Sequence, residues 1–170
     1  MIDLPLRIYI SCSWKGDLDN ERQTAEKLIK VDLLMSPVYP RLASPDDITS
    51  DYCRRLADCD IAIVLLGSKY SENVEKEFRF ALTNDIPTLV FQKECEREEK
   101  LQEKIENLYR NVTVKSFMNI DQLEKEIKEA IIDCLGTIFR DKREIERAIK
   151  PLLRYAIRYR PKPSEHEYRI

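Results

Sequence analysis

The chain has 170 residues, 43% of them hydrophobic and 35% charged, with three glycines and a formal net charge of −2. That length carries one compact domain with a real core, and the composition excludes a low-complexity chain. The near-neutral balance excludes a global field that draws nucleic acid, and no apolar run reaches the ~20 residues of a membrane span.

Charge is unevenly placed: residues 137–170 hold ten Lys/Arg against five Asp/Glu, and residues 1–136 hold nineteen against twenty-six. Lys, Glu, Ile and Arg are abundant and Gly is scarce, a bias of thermophile proteins. Five cysteines (Cys12, Cys53, Cys59, Cys95, Cys134) lack any CxxC spacing, and the single histidine is His166. No metal site is expected, and the cysteines read as free thiols in a reducing, cytoplasmic compartment. The N-terminus leads directly into a strand without a basic n-region, so no signal peptide is expected.

In chain order, residues 6–11 (LRIYIS) form the first strand. Residues 17–30 form a helix with Leu18, Ala25, Leu28 and Ile29 on one face. Residues 37–40, bracketed by prolines, are a short second strand at an end or edge. Ser44-Pro45-Asp46-Asp47 opens a helix that runs to about Ala57: a Ser cap, a first-position Pro, then two acids at the positive end of the dipole. Residues 60–66 (DIAIVLL) are a strand buried on both faces.

Residues 71–87 (SENVEKEFRFALTNDIP) contain the most informative helix. On a wheel of ~100° per residue, Tyr70, Val74, Phe78, Ala81 and Leu82 form its buried stripe. Glu77 sits at the stripe's edge, while Glu72, Lys76 and Thr83 face away. A strand at 88–92, a charged helix at 93–110 and a final strand at 111–117 follow.

The strongest helix spans 119–135. Asn119 and Gln122 suit a capping box, Met118 and Leu123 a hydrophobic staple, and Leu123, Ile127, Ala130, Ile131, Cys134 and Leu135 recur at helical spacing. Gly136 breaks that helix or marks its end. Beyond it Ile138, Ile145, Ile149, Leu152, Leu153, Ala156 and Ile157 continue a helical pattern interrupted by Pro151.

Five strand–helix units imply a five-stranded parallel sheet with right-handed crossovers and helices on both faces, a three-layer α/β/α domain. The expected organisation is that domain over 1–136, a helical extension over 137–160 and a mobile tail over 161–170. No glycine-rich phosphate loop is present, which disfavours flavin and P-loop chemistry. A carboxylate at the rim of a core, above the carboxyl ends of parallel strands, stands where open α/β sheets place ligand chemistry. Glu77 meets that description.

These segments resemble a known family. Residues 7–17 (RIYISCSWKGD) are similar to the first strand and loop of TIR (Toll/interleukin-1 receptor-like) domains, an aromatic-Ile-Ser pattern followed by an acid. Residues 71–78 resemble the TIR motif S-x-W-C-x-x-E-L, with Glu77 at the glutamate, Phe78 at the leucine and Asn73-Val74 in place of Trp-Cys. Ile10-Ser11 with Glu21-Arg22 and residues 66–70 (LGSKY) look closest to a prokaryotic TIR-like group, often fused to ATPase modules in defence or signalling proteins. The same segments resemble nucleoside 2-deoxyribosyltransferases, where residues 8–14 (IYISCSW) match I-Y-F-G-x-G-W and Asp60 matches an acid at the third strand. That pattern also has an Asp six residues before the glutamate; here Ser71 stands there, and the small residue after the glutamate is missing.

The resemblance covers about residues 6–132. It implies a flavodoxin-like fold and a glutamate, Glu77, that attacks or stabilises the anomeric carbon of a ribosyl group. The bland alternative is a helix-edge carboxylate paired with Arg79, Arg55 or Lys69. Ser11, Ser13 and Trp14 follow the first strand, where a nucleotide would lie; Trp14 either stacks on a base or packs on the first helix. Tyr9 is a ligand contact or simply core. Arg41 meets a phosphate or is a solvated loop arginine, and Ser68, Tyr70 and Ser71 bond a ribose or serve turn and cap.

Three readings result. The first is a nucleotide-ribosyl binding or N-glycosidic bond-cleaving domain with no required cofactor and NAD as leading substrate. The second is a non-catalytic module that self-associates, as a homodimer through the C-terminal helices or a TIR-like surface. The third is a nucleoside deoxyribosyltransferase. The basic C-terminal helix is interleaved with glutamates, so nucleic acid is not the expected partner.

Overall fold

The computed structural model describes residues 5–13, 17–39 and 48–158. In chain order these form β1 (Arg7–Cys12), α1 (Asp19–Lys27) with a π-helical turn Leu28–Asp32, β2 (Ser36–Val38), α2 (Ile48–Ala57) and β3 (Ile61–Leu66). Then come α3 (Glu72–Thr83), β4 (Thr88–Lys93), α4 (Glu99–Asn107), a 3-10 turn Tyr109–Asn111, β5 (Val114–Phe117) and α5 (Ile120–Arg158). The strands pair in the order β2-β1-β3-β4-β5, all parallel. This is the flavodoxin-like order expected from the sequence. Its topological switch point lies between β1 and β3, where such sheets open a crevice at their carboxyl ends.

Alternation decides which side chains reach which layer. On β1, Tyr9 shares its face with Ala62 of β3; both pack with Tyr52 and Leu56 of α2, Ala81 of α3, and Ile86. Further along that face Val64, Leu66 and Val90 meet Val74 and Phe78 of α3, Leu101 of α4 and Tyr109. β3 is buried along its whole length, as its unbroken apolar run predicts.

Helix α3 is fixed at both ends. Ser71 is its N-cap in extended conformation, and its hydroxyl accepts the Val74 N–H at 3.5 Å. At the other end Asp85 takes a left-handed φ of 54°. The Ile86 N–H bonds the Ala81 carbonyl at 2.9 Å and the Asp85 N–H bonds Leu82 at 3.3 Å, a Schellman closure with Ile86 and Ala81 in one apolar cluster. This turns the chain sharply into β4.

Several expectations are corrected. Leu82 is 40% exposed, because the stripe of α3 narrows toward that end of the helix. Lys93 still pairs with Phe117 as the last residue of β4, so the charged helix starts at Glu99. The Asn119 side chain accepts the Gln122 N–H at 2.9 Å, but Gln122 reaches back to the Met118 N–H rather than to the cap residue. Met118 is 63% exposed, so the staple against Leu123 is not a buried contact. The Ser44–Asp47 helix start lies outside the described residues.

The chain divides into two compact units, Met1–Ile131 and Ile132–Ile170, and the first contains the whole sheet. Helix α5 continues through Gly136 and Pro151 to Arg158. A glycine weakens a helix interior by only ~1 kcal/mol, which good helix formers on both sides outweigh. A Cβ at Gly136 would meet nothing within 4 Å. Gly136→Ala is therefore expected to stabilise α5 by about 0.5–1 kcal/mol, read as a rise in thermal midpoint; a fall would mean that the helix needs the glycine. Among the described residues no helix is long and apolar enough to cross a membrane.

Candidate active site

Helix α3 lies over β1 and β3 and delivers Glu77 to the sheet. Glu77 is 5% exposed, deeper than the rim position read from its periodicity. Ser11, on the same face of β1 as Tyr9 and 1% exposed, donates a short hydrogen bond from its hydroxyl to Glu77 Oε2. Among the described residues Glu77 makes no ion pair. Two of the cations proposed to neutralise it are engaged elsewhere: Arg79 donates to Glu75 at 2.9 Å and Arg55 to the buried Asp51 at 2.8 Å.

Burial pushes the Glu77 carboxyl up from 4.5 to about 7, against the opposing pull of Ser11 and Tyr9. The Tyr9 hydroxyl lies near enough to act on that carboxylate, yet it is fully buried and makes no well-formed hydrogen bond among the described residues. Burial and the neighbouring carboxylate hold that phenol strongly in its protonated form. The Ser13 hydroxyl, just beyond the end of β1, is also buried and has no partner among the described residues. Unpartnered buried hydroxyls are unusual; among the described residues Ser13 carries one just beyond β1, and the Tyr9 hydroxyl stands beside the Glu77 carboxylate.

The structure thus brings Tyr9, Ser11 and Glu77 together. Ser13 lines a narrow cleft at the carboxyl edge with Lys69, Tyr70, Ser71 and Glu75. Tyr70 donates its hydroxyl to Glu75 at 2.8 Å and carries the Lys100 ammonium 4.0 Å from its ring centroid. Ser68 gives both its N–H (2.6 Å) and its hydroxyl (2.9 Å) to Asp17. Ser71 is occupied as the α3 cap.

Asp60 does not join this group. It precedes β3, at the amino edge of the sheet, and accepts the Arg7 N–H at 2.8 Å; the start of a parallel strand is the end remote from the crevice. Trp14 and Arg41 lie outside the described residues. Cys12 is no ready nucleophile, because burial pushes its thiol up to about 12 despite Arg22 nearby.

Over residues 7–150 the chain matches the family described as Domain of unknown function (DUF4062). It belongs to that family. The CMP N-glycosidase BcmB of Clostridium botulinum is similar in structure, with 16% identity over 72% of this chain and 98% of that one, at a TM-score of 0.51. A de novo designed Rossmann 2x3 fold protein shares 14% identity over 76% of this chain and 91% of its own, at a TM-score of 0.47. At these identities the likeness is one of fold. No curated protein matches the chain.

Within this DUF4062 domain, sequence reasoning missed the carboxylates that organise the edge of the site. Asp17 carried one signal, the acid that follows the first strand, and Gly67 a second, as one of only three glycines. Glu75, which collects Tyr70, Arg79 and Lys104, reads in sequence as an ordinary first-turn acid of α3.

Proposed function

We propose that this domain binds a nucleotide-ribosyl compound and acts at its N-glycosidic bond, with Glu77 as the working carboxylate and NAD as leading substrate. The observation that carries the reading is a buried carboxylate without an ion-pair partner among the described residues, held by a serine hydroxyl near the carboxyl end of β1. Breaking such a bond develops positive charge at the ribose C1′. A carboxylate freed of counterions meets that charge electrostatically or by forming an ester.

Two further points support it. The similar fold of BcmB belongs to a CMP N-glycosidase, and the motif around Glu77 resembles that of TIR domains. Ser13 and the cleft residues Tyr70 and Ser71 are the proposed ribose contacts, with Trp14 and Arg41 proposed for base and phosphate. Base exchange between deoxynucleosides is the less supported chemistry, because Ser71 replaces the Asp of that pattern.

The test is chromatographic. Purified protein is incubated with NAD, with CMP, and with deoxynucleosides plus free base, beside a Glu77→Ala variant. Base release that falls by at least ~100-fold in the variant is the expected result. Release that persists in the variant removes Glu77 from the chemistry. No release from any substrate favours the second reading, a self-associating module, which rests on Ile132, Phe139 and Ile145, all more than half exposed on α5.

A further inference from the structure

We infer that Asp17 is a positioning residue for Glu77, a carboxylate latch that joins the loop after β1 to the turn after β3. This rests on the reading of Glu77 as the working carboxylate. Asp17 Oδ2 accepts three donors from that turn: the Ser68 N–H at 2.6 Å, the Ser68 hydroxyl at 2.9 Å and the Lys69 N–H at 3.3 Å. A carboxylate, charged and acceptor-only, suits three donors converging on one oxygen.

The approach is built into the backbone. A Cβ at Gly67 would overlap the Asp17 carboxylate and lie 2.9 Å from Leu18 Cγ. Only glycine lets the two loops come this close. From the opposite side Glu98 accepts the Tyr70 N–H at 3.0 Å and donates its own N–H to the Ser68 carbonyl at 2.9 Å. Residues 67–70 are clamped on both sides, and α3 begins directly after them at Ser71 and Glu72. Glu77 is less than two turns into that helix, so the clamp sets where the carboxylate meets Ser11.

Two details separate this from an ordinary helix brace. Asp17 does not cap its own helix; Leu18 holds the N-cap position of α1. Among the described residues its second oxygen, Oδ1, is buried without a partner, whereas a purely structural tie gains by satisfying both. The latch spans the ends of β1 and β3, the two strands that flank the crevice.

The test follows Glu77 by carboxyl carbon NMR titration and the Ser68 and Lys69 amides by hydrogen exchange. Wild type is compared with Asp17→Asn, Gly67→Ala and Ser68→Ala, and with Ile127→Val as a variant destabilised elsewhere in the core. The latch variants are expected to lose amide protection at 68–69 and to lower the Glu77 midpoint by roughly one pH unit as water reaches it. Ser68→Ala removes one donor only, so it reads out even where the other two fail to fold. A Glu77 midpoint that stays at its wild-type value in every folded latch variant, or that moves equally in Ile127→Val, overturns the inference. Neither readout needs turnover, so the latch and the N-glycosidic reading fail or stand separately.

Discussion

Replacing Glu77 with Gln is expected to stabilise the protein by about 3 kcal/mol at pH 8 and to change it little at pH 4. The sign follows from the direction of the shift. The folded carboxyl titrates at about 7 and the ordinary value is 4.5, so between these values the folded chain binds more protons than the unfolded one. Stability tied to Glu77 is therefore full below about pH 4.5 and is lost as pH rises through 7. Gln keeps an oxygen for the Ser11 hydroxyl but has no charge to desolvate. Urea unfolding of both proteins across pH 4–8 measures the gap. Parallel curves would show that Glu77 is solvated in the folded protein, and the reading of a desolvated catalytic carboxylate would go with it.

Phe78→Ala carries the second large effect, a destabilisation of about 4 kcal/mol. Phe78 is fully buried and its ring centroid lies 4.3 Å from that of Tyr109. It follows Glu77 directly, and its side chain anchors α3 against β3, β4 and α4. The variant opens a cavity at the point that holds Glu77 in place, so the urea midpoint should fall and, under the proposed chemistry, base release with it. A loss under ~1 kcal/mol would mean that neighbouring side chains collapse into the space.

How much of this was legible varies by element. β3 was readable because a strand buried on both faces is an unbroken apolar run. α3 was readable because its stripe repeats at helical period, and the same wheel placed Glu77 beside it. The junction of β4 and α4 was not, since residues 93–98, all charged but Cys95, carry no periodic signal and only the pairing of Lys93 with Phe117 assigns the first of them to the sheet. Nor was the depth of Glu77, because a wheel gives a direction around a helix and says nothing of what lies opposite.

The sequence by itself determined the five strand–helix units, their parallel sheet and the helix that bears the carboxylate, since these follow from local period and burial. Only the tertiary structure decided the partners. Ser11 stands 66 residues from Glu77, and Ser68 stands 51 from Asp17. Both contacts exist because the crossovers place β1 beside β3 with their carboxyl ends level, and a pairing made by topology leaves no periodic trace along the chain.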